Sequence, residues 1–213
     1  MRIKHRAIAI IIVALVSISM IGSTFVLFFS DSPVTQTAAQ TANTADSQIA
    51  DLQGQVDAFN QALEKNPGDT NLRLNLADKY YDLGLAQLSS SQDQSIAGAA
   101  TTNLKQAVAQ YQEVLKVNKD DVNILVDMAT AAFYSGDNTL AESTFQHVLA
   151  IKPDFYNALV NYGIFLIEAK SDYIGAIEEF NKALNTNPPP ESAQQLNNLI
   201  SYAQSKLTGD DSK

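Results

Sequence analysis

Few side chains in this sequence of 213 residues are suited to acid–base or metal chemistry. The chain holds two histidines and no cysteine, which excludes thiol nucleophiles, thiolate metal sites and disulfide bonds. His5 lies in a basic N-terminal cluster, and His147 lies near Phe145 and Val148 on a predicted helix, as a surface or packing residue. No glycine-rich stretch has the spacing of a phosphate-binding loop. We therefore predict no enzyme activity, no cofactor and no metal site.

Adjacent acidic residues occur in three places, and each pair has a structural interpretation. The pair Asp120-Asp121 precedes an apolar run, where a carboxylate accepts hydrogen bonds from the free N–H groups of a starting helix. The pair Glu178-Glu179 suits the solvated face of a helix, and Asp210-Asp211 suits a tail. None of the three pairs predicts a catalytic site.

The charge of the chain is divided unevenly along its length. All 23 acidic residues follow Ser30, whereas residues 1–6 hold three basic residues and no acidic one. The part of the chain after Ser30 is therefore strongly acidic. We expect it to bind neither nucleic acid nor anionic lipid headgroups.

Residues 7–29 form an uncharged and apolar run behind the basic segment 1–6. At ~1.5 Å per helical residue this run is long enough to cross a bilayer core of about 30 Å. A cleaved signal peptide is the alternative, but its apolar region covers only about 7–15 residues. We predict an uncleaved transmembrane helix, which acts as a signal anchor in the cell membrane. Residues 1–6 would then be cytoplasmic and the C-terminal part of the chain extracytoplasmic.

The segment that follows the predicted span, residues 30–48, is rich in Thr, Ala, Gln, Ser and Asn. Such a composition buries little apolar surface, so it predicts a flexible linker. A helix that continues through its alanine-rich part is the alternative.

A pattern of apolar and small residues returns every 34 or 35 positions in the C-terminal half. One stripe consists of Ala107, Tyr111 and Val114, then Ala141, Phe145 and Val148, then Ala176, Phe180 and Ala183. A second stripe consists of Leu125, Met128, Ala129 and Ala132, then Leu159, Tyr162, Gly163 and Leu166. Steps of three and four residues predict helices. The fixed period predicts stacked helix pairs in place of one closed core.

These stripes resemble the tetratricopeptide repeat (TPR) family. Its pattern asks for a large residue and an aromatic on a first helix, and for Ala, an aromatic, Ala and Pro on a second. Residues 122–155 fit the pattern nearly throughout, and residues 156–190 fit it as well. The resemblance implies an all-α fold, a right-handed superhelical stack of antiparallel helix pairs. The basic start, single predicted span and simple linker also resemble the layout of bacterial envelope TPR proteins.

We expect the TPR domain to cover residues 49–207, with a short tail at 208–213. The domain consists of a half-repeat at 49–69, three repeats at 70–121, 122–155 and 156–190, and a capping helix at 191–207. A short coiled coil is the alternative for 49–65. The first repeat carries an insertion at about 85–102, which we interpret as a longer helical hairpin, and a partner-binding protrusion is the alternative.

In stacked pairs of this kind the first helices line a concave groove, and their outward residues select the ligand. The predicted partner-binding positions are Asn75, Asp78, Tyr81, Asp127, Thr130, Phe133, Tyr134, Asn157, Asn161 and Ile164. Asparagine side chains suit the backbone of an extended peptide, and aromatic rings suit apolar contact, although the asparagines alternatively stabilise only their own helices. The basic residues with which the family's best-known groove clamps a C-terminal carboxylate are absent. We therefore expect a basic or apolar-aromatic partner.

The function that these patterns favour is that of a membrane-anchored, extracytoplasmic TPR adaptor or scaffold. It would mediate protein–protein interactions through the concave groove. The alternative is a structural envelope protein that self-associates as a homo-oligomer and has no separate ligand.

Overall fold

The computed structural model describes residues 38–90 and 94–209, with side chains described for 46–90 and 96–209. All regular structure in these ranges is helical, which confirms the predicted all-α class. The described helices are α1 Ala38–Lys65, α2 Thr70–Ser90, α3 Gln94–Leu115, α4 Val122–Ser135, α5 Asn138–Ile151, α6 Tyr156–Lys170, α7 Tyr173–Leu184 and α8 Pro190–Thr208.

No helix among these eight combines the length and the apolar content needed to cross a bilayer. The predicted span at 7–29 and the basic segment 1–6 lie outside the described residues. Residues 91–93 within the insertion and residues 210–213 of the tail lie outside them as well.

The chain divides into two compact units, with the boundary after Gln106 inside α3. In unit 1, residues up to Gln106, α1 packs against α2. Their apolar stripes share one cluster, which contains Leu52, Val56, Leu76 and Leu83. Beside it, Asn60 Nδ2 donates a hydrogen bond of 3.0 Å to Tyr80 Oη. The residues predicted to form a half-repeat are thus the second half of a longer helix.

Helix α1 begins eleven positions before the predicted half-repeat at 49–69. Residues 38–48 of the predicted flexible linker are therefore helical. This agrees with the alternative interpretation, in which a helix continues through the alanine-rich part of the segment. The physical reason is local: no proline or glycine interrupts the chain between Pro33 and Gly54, and alanine and glutamine favour helix. The apolar period marks only the part of the helix that packs.

The insertion at about 85–102 lengthens two helices in place of forming a separate domain. Helix α2 continues to Ser90 and α3 starts at Gln94. The two helices approach closely at Gly84, where an added Cβ would lie 2.6 Å from Leu104 Cγ. Asn103 Nδ2 donates to Gln87 Oε1 at 2.9 Å between the added turns.

In unit 2, residues from Ala107 onward, the helices are short and regular. Helix α4 pairs with α5, α6 pairs with α7, and α8 packs against α7. Asp121 caps α4 by accepting from Asn123 N at 3.1 Å, as the sequence predicts. Asp137 and Asp172 cap α5 and α7 in the same way, by accepting from backbone N–H groups of the first turn. Carboxylates at these positions satisfy free N–H groups and fix where each second helix begins.

The small residues of the repeat lie where helices approach most closely. A Cβ added at Gly163 would lie 2.4 Å from Phe180 Cε1, so a side chain at this position requires the ring to move. Phe145 of α5 is fully buried and lies 5.8 Å from Tyr162 and 6.1 Å from Phe165 of α6, measured between ring centroids. Its ring therefore fills the space between one helix pair and the next.

Helix α8 repeats the spacing of the first helices but differs from them at one packing position. Helices α4, α6 and α8 begin at Val122, Tyr156 and Pro190, so Ala129, Gly163 and Asn197 hold equivalent positions. Ala129 and Gly163 are buried, whereas Asn197 is exposed. In a complete repeat the second helix would pack against this position, which in α8 carries a polar amide. This agrees with the predicted capping role of α8.

Candidate protein-binding surface

The first helices of unit 2, α4 and α6, pack against each other. Asn161 Nδ2 of α6 donates a hydrogen bond of 3.2 Å to Thr130 Oγ1 of α4. Thr130 Oγ1 in turn donates to the Val126 carbonyl oxygen at 2.8 Å. The two helices are therefore joined by a polar contact as well as by apolar packing.

The 34-residue spacing places equivalent residues of α4 and α6 beside one another. These pairs are Asn123 with Asn157, Asp127 with Asn161, Thr130 with Ile164, and Tyr134 with Glu168. Asn123 and Asn157 are exposed, and Asp127 and Asn161 are partly exposed. We name the side of α4 and α6 that carries these four pairs the α4–α6 face.

Two predicted partner-binding residues of this face are buried. Thr130 and Ile164 are each 3% exposed, because their positions lie where α4 and α6 touch. The prediction that their side chains face a ligand is wrong for this structure. They hold the helices together, and the polar residues on either side remain at the surface.

Phe133 and Tyr134 are partly buried in an aromatic group. The Phe133 ring lies 4.7 Å from the Tyr134 ring and 5.5 Å from the Phe165 ring, in an edge-to-face arrangement with Phe165. Burial raises the pKa of the Tyr134 hydroxyl, and the nearby charge of Glu168 raises it further. Part of each ring is therefore available to a partner, while the rest packs within the unit.

Glu168 lies on α6 at the position equivalent to Tyr134, because it follows Tyr134 by one period of 34. Its negative charge contributes, after burial, to the raised pKa of the Tyr134 hydroxyl.

The partner-binding residues predicted in the first repeat lie on α2, in unit 1. Asn75 is exposed and Asp78 is partly exposed on α2. Tyr81 is only 4% exposed, so its predicted role as an apolar contact for a ligand is wrong for this structure.

The charged residues of the two first helices in unit 2 leave their surface acidic. Within α4 the charged residue is Asp127, and within α6 they are Glu168 and Lys170. Lys170 Nζ contacts both oxygens of Glu142 on α5, at 2.9 and 3.0 Å. This hydrogen bond raises the pKa of Lys170. The cation is thus engaged with a carboxylate of a second helix.

In the described parts of the chain, no three His, Cys, Asp or Glu residues are grouped as metal ligands. His147 Nε2 lies 3.3 Å from Asp120 Oδ1, and its side chain is 51% exposed. The pair joins the turn before α4 to α5 at the surface. The predictions of no enzyme activity and no metal remain predictions.

No family model matches the chain, and no curated protein matches it. Among solved structures, "MamA MSR-1 C2" is similar with a TM-score of 0.52 and 14% identity, over 80% of this chain and 84% of that chain. A thermophilic TPR protein of Thermus thermophilus, TTC0263, has a TM-score of 0.44 and 18% identity, over 80% of this chain and 100% of that chain. YrrB, "a TPR protein with an unusual peptide-binding site", has a TM-score of 0.41 and 18% identity, over 79% of this chain and 92% of that chain.

The likeness to the MamA structure concerns the fold alone, because the identity is so low. Together with the helix pairs and their 34-residue period, it supports a TPR fold.

Proposed function

We propose that this protein is a membrane-anchored, extracytoplasmic adaptor that binds a segment of another protein on the α4–α6 face. The observation that carries the proposal is the register of α4 and α6. Two helices of successive repeats present equivalent amide and acidic side chains side by side, and the helices are joined beneath them by the hydrogen bond from Asn161 to Thr130. Because α4 and α6 are packed together beneath these polar side chains, a partner can bind the surface without rearrangement of the two helices.

The side chains of this face favour a basic segment as its partner. Asp127 and Glu168 supply negative charge, and the amides of Asn123 and Asn157 are exposed and suited to peptide backbone groups. Lysine and arginine side chains on the partner would gain from the negative potential. The partly exposed rings of Phe133 and Tyr134 would support apolar contact beside these charges.

The proposed location rests on the apolar run at 7–29 and on the basic residues before it. With the basic end held in the cytoplasm, the described helices would lie on the other side of the membrane. The proposal includes no enzyme activity, because the chain offers repeated packing positions and a binding surface as its main features.

Crosslinking in intact cells tests the proposal. A photoreactive amino acid placed at Asn157 should capture another protein, because this side chain is exposed on the α4–α6 face. The matched control carries the same group at Glu178, which is exposed on the second helix α7. A further variant, Asp127→Lys, should lower the yield at position 157 several-fold by reversing one charge.

Three results would contradict the proposal. Equal capture of the same proteins at positions 157 and 178 would show that the contact is not specific to the face. A yield unchanged by Asp127→Lys would exclude the acidic recognition. Adducts with the mass of two copies of this chain and nothing else would favour the structural, self-associating alternative.

A further inference from the structure

Helix α8 belongs to the same series as α4 and α6. It packs against α7 as α6 packs against α5, and its first residue, Pro190, follows the first residue of α6 by 34 positions. The repeat therefore places α8 beside α6, on the side away from α4. The face of α8 that is equivalent to the α4–α6 face carries Glu191, Gln195, Asn198 and Tyr202. We name these four residues the α8 row.

The burial of the side chains agrees with this placement. Glu191 and Asn198 are exposed, and Gln195 and Tyr202 are partly exposed. The buried residues of α8 lie on a different face of the helix, at Leu196 and Ala203. The α8 row is therefore at the surface, and it continues the polar face of α4 and α6 by one more helix.

The α8 row adds a carboxylate to this surface. Glu191 follows Asn157 by 34 positions and so holds the equivalent position on α8. Lys206 is the basic residue of α8, and it lies towards the other end of the helix, with Nζ 5.6 Å from the centroid of the Tyr202 ring. On α4 the acidic residue is Asp127, one turn further along the helix than the position of Glu191 on α8. The surface thus has a carboxylate on each outer helix and the asparagines of α6 between them.

Helix packing sets the distance between these two carboxylates. Packed helices lie about 8–10 Å apart, so α4 and α8 are about 16–20 Å apart across α6. An extended peptide rises about 3.3 Å per residue and covers this distance in about six residues. Because side chains alternate along an extended chain, residues separated by an even number of positions point to the same side. Two side chains about six positions apart can therefore meet Asp127 and Glu191 together.

We propose that α8 is part of the binding surface, and that Asp127 and Glu191 bind two basic side chains, about six residues apart, of one extended segment. This inference rests on the proposed function, because it describes the partner of the same face. The amides of α6 lie between the two carboxylates, where they suit the backbone of the segment. Lysine or arginine at the two outer positions gains from the negative charge of each carboxylate.

Crosslinking in intact cells tests this inference as well. A photoreactive amino acid at Gln195 of the full chain should capture the same protein as the one at position 157. Mass spectrometry of the two adducts should place both crosslinks in one segment, with Lys or Arg at two positions about six residues apart. The matched control is again position 178 on α7, which should not capture this segment.

Neutral variants test the two carboxylates. Glu191→Gln and Asp127→Asn should each lower the yield from position 195 about twofold or more, because each removes one charge and keeps the size of the side chain. Glu178→Gln is the control and should leave the yield unchanged.

A synthetic peptide with the captured sequence separates binding from a structural role of Glu191. This residue lies in the first turn of α8, where a carboxylate also favours the helix. In the proposed complex, replacing one basic residue of the peptide by Gln should abolish the effect of Glu191→Gln on the affinity. Replacing the other should abolish the effect of Asp127→Asn. If Glu191 acted only on the helix, its variant would weaken the binding of every peptide equally.

Three results would overturn the inference and leave the proposed function intact. The first is capture from position 157 without capture of the same segment from position 195. The second is a captured segment that lacks the two basic residues. The third is an equal effect of Glu191→Gln and Glu178→Gln on the yield. Failure to capture any protein from position 157 is a separate result, which would overturn the proposed function and this inference with it.

Discussion

Asn161 of α6 donates a hydrogen bond of 3.2 Å to the hydroxyl of Thr130 on α4, one repeat earlier. That hydroxyl also donates to the backbone of its own helix at Val126. Asn161 therefore uses one amide hydrogen for the contact between repeats. Its neighbour one turn earlier, Asn157, is exposed, so the two asparagines of α6 have different roles.

Replacement of Asn161 by alanine should lower the free energy of unfolding by about 1 kcal/mol, because Thr130 loses its partner between the helices. Thermal or urea unfolding of the full chain measures the change. Asn157→Ala is the control, and we expect its stability to stay within about 0.5 kcal/mol of the wild type. A variant at 161 as stable as the control would show that the hydrogen bond contributes nothing.

Gly163→Ala should destabilise the protein by about 1–3 kcal/mol, because the added methyl group overlaps the Phe180 ring. The double variant Gly163→Ala/Phe180→Leu should recover part of the loss, since a smaller side chain leaves room for the methyl group. Gly98→Ala is the matched control, with no atom near its added Cβ, and should gain about 0.5–1 kcal/mol from helix propensity. Loss of stability at both positions would argue against the close contact at 163.

The raised pKa of Tyr134 predicts a specific alkaline behaviour. Because the phenol stays protonated in the folded protein, its contribution to stability is complete below its ordinary pKa of about 10. The contribution is lost as pH rises above that value, when the unfolded chain releases the proton first. Tyr134→Phe should move alkaline unfolding to higher pH, measured by circular dichroism. Tyr156→Phe, at the start of α6, is the control, and an equal shift in both variants would contradict the assignment.

Glu179 is a buried carboxylate with one unsatisfied oxygen, so the prediction that it lies on a solvated helix face is wrong. Its Oε1 accepts from Lys182 Nζ at 2.8 Å, but Oε2 has no hydrogen-bond partner among the described residues. Glu179→Met should therefore raise the free energy of unfolding by about 1 kcal/mol. Glu178→Met replaces the exposed neighbouring residue and should have little effect. A loss of stability in the variant at 179 would indicate that Oε2 is satisfied in solution.

Much of the fold is predictable from the sequence, because buried faces leave a period. The helices of unit 2 fall within the predicted repeats, and Asp121 caps α4 as expected. The start of α1 is not predictable in this way. Residues 38–48 are helical without an apolar stripe, and a period can reveal only residues that pack.

The sequence predicts which residues of the candidate site occupy equivalent positions on α4 and α6. It does not predict which of these residues are buried. Asn157 and Asp127 follow from their positions on the first helices, and both reach the surface. Thr130 and Ile164 occupy the same kind of position and are buried. The difference arises where α4 and α6 touch, at a contact such as that of Asn161 with Thr130, 31 residues apart, which local spacing does not encode.

Asn197 disfavours the packing of a further helix pair on α8. With alanine or glycine at this position, the helix could pack against the aromatic ring of a second helix without burying a polar group. That second helix could come from an added repeat or from a neighbouring molecule. The amide of Asn197 instead requires water or a hydrogen-bonding partner, so growth by addition at this end carries a desolvation cost. Fusion of a further helix pair to extend the protein would therefore have to begin with Asn197→Gly.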